Sequence, residues 1–264
     1  RVKDKIRSRR RKSYIKIILQ SVLKCITIKE SAAYFSIRCG LFWRLNMEGA
    51  ADMDENDKIV EKLREKLKDC EYVLVGIGSE WGKAKDSEAK AAYHALYELT
   101  DGKDYFIVTT VTDARIFDSP LRADRITAPC GNVNWFQCSE ACTKDIWERG
   151  EVPEGRCPHC GAPLAANTIE AKNYIEEGYL PGWNRYKEWL SHTLNHRLLV
   201  LELGEGFKTP TVIRWPFEKT VYFNRKADMY RVNRKFAQVS EEIRGRAVPV
   251  AVDSLEFIRK CADK

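Results

Sequence analysis

Four cysteines form two close pairs within a short stretch of the chain. Cys138 and Cys142 have C-x3-C spacing, and Cys157 and Cys160 have C-x2-C spacing. Each short pair turns two sulfurs toward one point, and two pairs supply the four thiolates that a structural Zn²⁺ site takes. Two disulfides or four buried thiols are the alternatives, but no credible secretory signal indicates an oxidising compartment. We therefore predict a structural zinc site without an open position for a substrate.

Two Gly-x-Gly sequences each follow an apolar segment. Residues 72–78 read YVLVGIG, and residues 198–206 read LLVLELGEG. Uninterrupted apolar runs of this length are typical of parallel strands that are buried on both faces. Glycines at the end of such a strand let the backbone turn sharply and lie against a pyrophosphate. The alternative is a strand-to-helix turn that binds no ligand.

The segments around these motifs alternate between strand and helix patterns. Apolar residues recur with helical spacing in four segments: 56–69, 86–99, 183–196 and 251–261. Strands are predicted at 72–75, 105–110, 198–203 and 221–224. This alternation predicts an α/β fold, with a Rossmann-like parallel sheet, helices on both faces and an inserted small zinc-binding module at residues 132–165.

The charges are unevenly distributed along the chain. Residues 1–46 hold 13 of the 45 basic residues and only 2 of the 38 acidic ones, so the remainder is mildly acidic although the net charge is +7. This argues against nucleic-acid binding outside the basic leader. We expect residues 1–50 to be a leader that is disordered or no part of the natural protein, and residues 51–264 to form the domain. No run of about 18 apolar residues indicates a membrane span, so we expect a cytoplasmic protein that does not bind membranes.

The order of these motifs resembles the sirtuin family, the silent-information-regulator-type NAD-dependent protein deacylases. Residues 135–142 (WFQCSEAC), residues 201–206 (LELGEG) with Thr209-Pro210, and residues 214–217 (RWPF) resemble its bacterial class M branch, which is linked to protein mono-ADP-ribosylation. The resemblance covers about residues 58 to 258. It implies NAD as cofactor, structural Zn²⁺, and a protein as substrate or partner.

The resemblance also implies roles for individual residues. Cofactor-binding residues by this match are Gly76, Ile77, Gly78, Ser79, Thr110, Gly204, Gly206 and Asn224. The first glycine loop would line the pyrophosphate, the second would contact the ribose, and Asn224 would lie near the adenosine at the end of a strand. Thr109 and Asp113 match the Thr and Asp of the family motif Thr-Gln-Asn-x-Asp, on the nicotinamide side.

The chain departs from the family where the chemistry occurs. The family's catalytic His, commonly Gln in class M, matches Cys130, and the Asn of its motif is Val111. An ordinary thiol is mostly protonated at pH 7, so Cys130 serves as a base only if its pKa is lowered; it is otherwise a candidate acceptor. We expect NAD-dependent protein modification, by mono-ADP-ribosyl transfer or deacylation. The alternative is a catalytically impaired sensor or scaffold that binds NAD or ADP-ribose.

Overall fold

The computed structural model describes residues 55–152 and 155–263, and the basic leader lies outside them. The helices are α1 (Glu55–Asp69), α2 (Ser79–Lys83), α3 (Asp86–Thr100), α4 (Leu180–His192), α5 (Arg214–Phe223) and α6 (Ser254–Ala262). The strands are β1 (Tyr72–Ile77), β2 (Asp104–Thr109), β3 (Ile126–Thr127), β4 (Gly131–Cys138), β5 (Trp147–Glu148), β6 (Leu164–Thr168), β7 (Leu198–Leu203), β8 (Ala227–Val232) and β9 (Ala247–Val250).

Six of these strands form one parallel sheet in the order β3-β2-β1-β7-β8-β9. Side chains alternate across it, so β1 turns Val73 and Val75 toward α1, α3 and α6, and Leu74 toward α4 and α5. Helices therefore cover both faces, and the predicted Rossmann-like fold is confirmed. No helix in the described ranges is long and apolar enough to cross a bilayer.

The cysteine-rich insert forms a separate sheet. Strands β5, β4 and β6 pair in that order and antiparallel, and the pairing of β4 with β6 is irregular between Asn132 and Phe136. Gly131, the first residue of β4, has φ +86°, and a Cβ there would lie 2.0 Å from the carbonyl oxygen of Asn167. Only glycine fits this position, so the entry into the insert is fixed directly after Cys130.

The predicted strand at 221–224 is wrong. These residues end α5, in which Phe217 and Val221 are buried on one side while Tyr222 is half exposed. Their β-branched and aromatic types favour a strand locally, but burial at positions i and i+4 favours the helix. The fourth core strand is β8, whose sequence ADMYRV carries two charges. Its arginine is buried beside a glutamate, a pairing between distant residues that no local pattern displays.

Gly76 is required by the packing of α5 against the sheet. It lies within β1, paired with Glu202 of β7, and a Cβ on it would lie 2.5 Å from Ile213 Cγ2 and 2.7 Å from Phe217 Cε2.

We predict that Gly76→Ala lowers the free energy of unfolding by about 1–3 kcal/mol, because the added methyl overpacks the contact with Phe217. Urea unfolding of the variant and the wild type measures the change. Gly245→Ala is the matched control, since a Cβ at Gly245 meets nothing within 4 Å. Equal stability of the two variants would contradict the packing role.

Candidate active site

The two glycine loops meet at one edge of the parallel sheet. From β1 the chain proceeds to β2 and β3 on one side, and from the adjacent β7 it proceeds to β8 and β9 on the other. The amide of Gly78 donates to Leu203 O at 2.8 Å, and the amide of Glu80 donates to Gly204 O at 3.2 Å. Where the connections from two adjacent parallel strands lead in opposite directions along the sheet, a crevice forms at the carboxyl ends of those strands. This is where α/β proteins bind ligands.

Two cavities open at this edge, and Ser79 lines both of them. The large cavity has a volume of about 520 Å³ and the small cavity about 180 Å³. Around the large cavity lie, among others, Gly204, Gly206, Asn233, Arg234, Lys235 and Phe236. Around the small cavity lie, among others, Thr110, Asp113, Cys130, Glu170, Glu205 and Lys208. The crevice thus has two compartments, divided at the first glycine loop.

The structure brings some of the predicted site residues together here and excludes others. Ser79, Thr110, Gly204, Gly206, Asp113 and Cys130 line one cavity or the other. Gly78 lies at the same edge, in contact with Glu205. The side chain of Ile77 is instead fully buried in the core, and Gly76 faces α5. Because β1 extends to Ile77, the turn begins two residues later than the motif predicts. The side-chain positions of both residues serve packing, and contact of their backbone with a cofactor stays a prediction.

Thr109 also has a backbone role. Its hydroxyl is fully buried, donates to Ile77 O at 3.3 Å and accepts from the amide of Val111 at 3.0 Å. These two hydrogen bonds join the ends of β1 and β2, so the structure gives Thr109 a positioning contact, and its catalytic role stays a prediction. The carboxylate of Asp113 accepts a hydrogen bond from the backbone amide of Arg115 at 3.0 Å and forms an ion pair with the guanidinium of Arg115 at 2.6 Å.

The predicted cofactor residue Asn224 lies at the wrong edge of the sheet. It ends α5, and its side-chain amide donates to Thr193 O at 2.9 Å and His196 O at 3.1 Å, before the amino ends of β7 and β8. The asparagine that follows a strand at the ligand edge is Asn233, directly after β8. Its side-chain amide donates to Glu205 O at 2.9 Å, and its Oδ1 accepts the amide of Phe236 at 2.8 Å.

Cys130 is buried, with 1% of its surface exposed. Burial and, to a smaller extent, the negative charge of Glu205 raise the pKa of its thiol to about 12, although the hydrogen bond to Thr209 and the charge of Lys208 lower it. The environment therefore favours the protonated thiol, and the thiolate base considered from the sequence is not supported.

Glu205, the middle residue of the second Gly-x-Gly, was missed at the sequence level. It is 2% exposed, and the hydroxyl of Thr110 donates to its Oε2 at 2.7 Å. Burial raises the pKa of this carboxyl to about 7, against the hydrogen bonds from Thr110 and Thr209 that lower it. The sequence does contain a signal for it. Glu205 lies between Gly204 and Gly206, and a negative charge there would repel a phosphate that the loop is expected to bind.

A buried ion cluster supports the loops around the crevice. Glu202 of β7 lies 3.1 Å from Arg214 Nη1 and 2.7 Å from Arg231 Nε. Arg214 donates onward to Glu205 O at 3.3 Å and to Phe236 O at 2.7 Å. The arginine of the RWPF segment therefore holds protein backbone and is no direct contact for a phosphate.

The four cysteines of the insert converge as the sequence predicts. The Sγ atoms of Cys138, Cys142, Cys157 and Cys160 all lie within 4.8 Å of one another. Two Sγ pairs, Cys138 with Cys160 and Cys142 with Cys157, are 3.5 Å apart. A disulfide needs about 2.05 Å, whereas a tetrahedral zinc site with Zn–S bonds of about 2.3 Å needs sulfurs about 3.8 Å apart. The donor set fits a zinc ion and leaves no open position.

Sequence comparison finds relatives that share part of their length with this chain; no family model matches. A protein ADP-ribosyltransferase of Staphylococcus aureus is 24% identical over 186 residues, which are 64% of this chain and 59% of that protein. A probable bifunctional ADP-ribose hydrolase/ADP-ribosyltransferase of Fusarium oxysporum is 24% identical over 144 residues, which are 46% of this chain and 24% of that protein. The chain thus spans about three fifths and a quarter of the length of these curated relatives.

Structural comparison finds the same architecture. A Sir2 homologue mutant in complex with ADP-ribose matches with a TM-score of 0.52 and 13% identity, over 80% of this chain and 95% of that one. The sirtuin-like fold that the motifs predict is therefore confirmed, and the resemblance to sirtuins stands.

We predict that native Cys130 resists alkylation by iodoacetamide at pH 7.5, because a thiol with a pKa near 12 is a thiolate in only about 1 molecule in 10⁴ to 10⁵. Mass spectrometry of Cys130-containing peptides, from native protein and from protein unfolded in guanidinium, measures the difference. Rapid modification of Cys130 in the native protein would restore it as a candidate base.

Proposed function

We propose that this sirtuin-like protein uses NAD to transfer ADP-ribose to a protein. The observation that carries the proposal is the two-compartment crevice at the switch point between β1 and β7, with a glycine loop on each side. The small cavity, at about 180 Å³, is near the size of a cavity of about 150 Å³ that holds one benzene ring. It suits a nicotinamide ring, and the large cavity suits the adenosine half.

The charged residues around the large cavity suit the diphosphate of a dinucleotide. Basic side chains of Lys83, Lys235 and Arg259 line the large cavity and would favour a diphosphate. Acidic ones lie there too, but two of them are occupied by the protein itself. Glu80 accepts the hydroxyl of Ser254 at 2.7 Å, and Asp253 pairs with Arg234 at 2.9 Å.

Transfer of ADP-ribose is favoured over deacylation by the state of Cys130. Sirtuin-like deacylation uses a base at that position, and burial keeps this thiol protonated. Transfer needs an acceptor placed against the ribose and does not depend on a base at position 130. The names of both relatives include ADP-ribosyltransferase activity, which supports the same choice. The acceptor protein and a cytoplasmic location remain parts of this proposal.

Binding and turnover of NAD test the proposal together. We expect the full chain to bind ADP-ribose in calorimetry and to release nicotinamide from NAD. Asn233→Ala should weaken ADP-ribose binding roughly tenfold, or about 1.4 kcal/mol, because it leaves the amide of Phe236 without its acceptor and removes one of the two hydrogen bonds that hold the carbonyl of Glu205 at the crevice.

Asn224→Ala is the matched control, since it removes an equally buried asparagine at the opposite edge of the sheet. Its stability should fall while its affinity for ADP-ribose stays that of the wild type. Absence of ADP-ribose binding to the wild type would refute the proposal, and binding without nicotinamide release would favour a sensor or scaffold.

We also propose that the cysteine cluster holds one structural zinc ion. The four converging sulfurs and the distances between them support this. When bound, the metal would cross-link the insert and supply no chemistry to the crevice, because all four positions are taken by protein.

Metal analysis of the purified protein should find one zinc per chain, and Cys142→Ser should lose most of it. Cys70→Ser is the control, since Cys70 lies outside the cluster and donates to Leu67 O. Loss of zinc should speed amide hydrogen exchange in β4 and β6 more than in β1 and β7, because metal binding contributes directly to the folding of such modules. A metal-free wild type purified without chelators would contradict the prediction.

A further inference from the structure

We propose that the carboxylate of Glu205 accepts the proton of the incoming nucleophile during ADP-ribosyl transfer, a role that Cys130 does not fill. This inference rests on the proposed function. It assigns a catalytic residue at a position that the sequence motif reserves for contact with the ribose.

The placement of Glu205 depends on a glycine in the other loop. A Cβ on Gly78 would lie 2.5 Å from Glu205 Oε2 and 2.2 Å from Glu205 Cα. The space opened by the missing side chain is therefore filled by the glutamate, and any larger residue at position 78 would displace it. Thr110 fixes the carboxylate from the end of β2 with a hydrogen bond of 2.7 Å.

Among the carboxylates that line the small cavity, Glu205 is the one suited to accept a proton. Asp113 is paired with the guanidinium of Arg115 at 2.6 Å, so the protein itself occupies its carboxylate. The side chain of Glu170 is 77% exposed and lies 3.4 Å from Lys208. Glu205 is buried and forms no ion pair within 4 Å in the described part of the chain. Of the three, it is the carboxylate that is both buried at the cavity and free of a cationic partner among the described residues.

The electrostatic surroundings bring Glu205 into the range of a physiological base. Burial raises its pKa to about 7, where a base is both available and effective near neutral pH. The groups that face it or line the same cavity are the hydroxyls of Thr110 and Thr209, the thiol of Cys130, the carboxylates of Asp113, Glu170 and Glu202, and the cations of Lys208 and Arg214.

The step balances without a further reactant. The oxygen of an acceptor hydroxyl, or of water when no acceptor protein is present, bonds to the anomeric carbon of the nicotinamide ribose. The bond from that carbon to nicotinamide breaks, and its electron pair leaves on the ring nitrogen. The proton of the attacking O–H passes to Glu205. With water, the products are ADP-ribose, nicotinamide and one proton, so the step can be assayed without the target protein.

The test compares wild type, Glu205→Gln and Glu188→Gln, all as full chains. Nicotinamide release from NAD is followed from pH 5.5 to 8.5, and ADP-ribose affinity is measured beside it. Glu188→Gln is the control, because Glu188 is exposed on α4 away from the crevice. We expect a wild-type rate that rises through about pH 7 and a Glu205→Gln rate lower on the order of 10²-fold, with ADP-ribose affinity retained.

A second readout is independent of turnover. A carboxyl whose pKa is raised on folding stabilises the protein below its unfolded pKa of about 4.3, and this stabilisation is lost as pH rises through the folded pKa near 7. Urea unfolding should therefore show the wild type losing stability relative to Glu205→Gln between these pH values.

Thr110→Val provides the variant to use if Glu205→Gln does not fold. Loss of the hydroxyl that donates to the carboxylate should move the rising limb of the rate to higher pH. A wild type that binds ADP-ribose but releases no nicotinamide refutes the transferase proposal itself. Two results would overturn only the assignment of Glu205. One is an active wild type whose rate changes neither with pH near 7 nor in Glu205→Gln. The other is a pH–rate profile of Thr110→Val whose rising part lies at the same pH as in the wild type.

Discussion

The carboxylate of Glu202, buried in the middle of the sheet, is the interaction on which the shape of the crevice depends. It lies between the guanidinium groups of Arg214 from α5 and Arg231 from β8, in the register that pairs Glu202 with Arg231 across adjacent strands. Both arginines extend beyond it: Arg231 donates to Gln238 O at 2.6 Å, and Arg214 to Phe236 O at 2.7 Å. Buried ion pairs add little net stability, but removal of one partner is costly, so this cluster acts chiefly by specifying geometry.

The same cluster explains the glycine within β1 and the one directly after it. Gly76 is the register partner of Glu202 on the other side and leaves room for α5 to approach the sheet, which brings Arg214 within reach of the carboxylate. Two residues later, Gly78 leaves room for Glu205, whose backbone carbonyl accepts from Arg214 and Asn233. One glycine thus serves packing and the other serves the site, although the motif presents them as a pair.

The insert contributes a second sheet, which joins the parallel-sheet part of the chain at Cys130. Its strands β4 and β6 are joined by a buried amide contact, in which Asn167 donates to Gln137 Oε1 at 2.7 Å and to Ile175 O at 2.7 Å. Gly131 fixes the point of entry, so the position of Cys130 at the small cavity depends on the insert being folded. A zinc ion in the cysteine cluster would therefore act on the crevice through the position of β4.

The sequence by itself determined the α/β class, the strands at 72–75 and 198–203 and the cysteine cluster, because apolar runs, glycine turns and ligand spacing are local features. It did not determine which asparagine lies at the crevice, because the charge of Arg231 within β8 does not fit the apolar pattern of a buried strand. That charge is compensated by Glu202 and Glu218, which are distant in the sequence. It also could not assign Cys130 or Glu205. Their protonation depends on burial and on neighbours such as Thr110, 95 residues from Glu205 along the chain. Only the tertiary structure decides that environment, because desolvation and charge act through space and leave no periodic trace in the sequence.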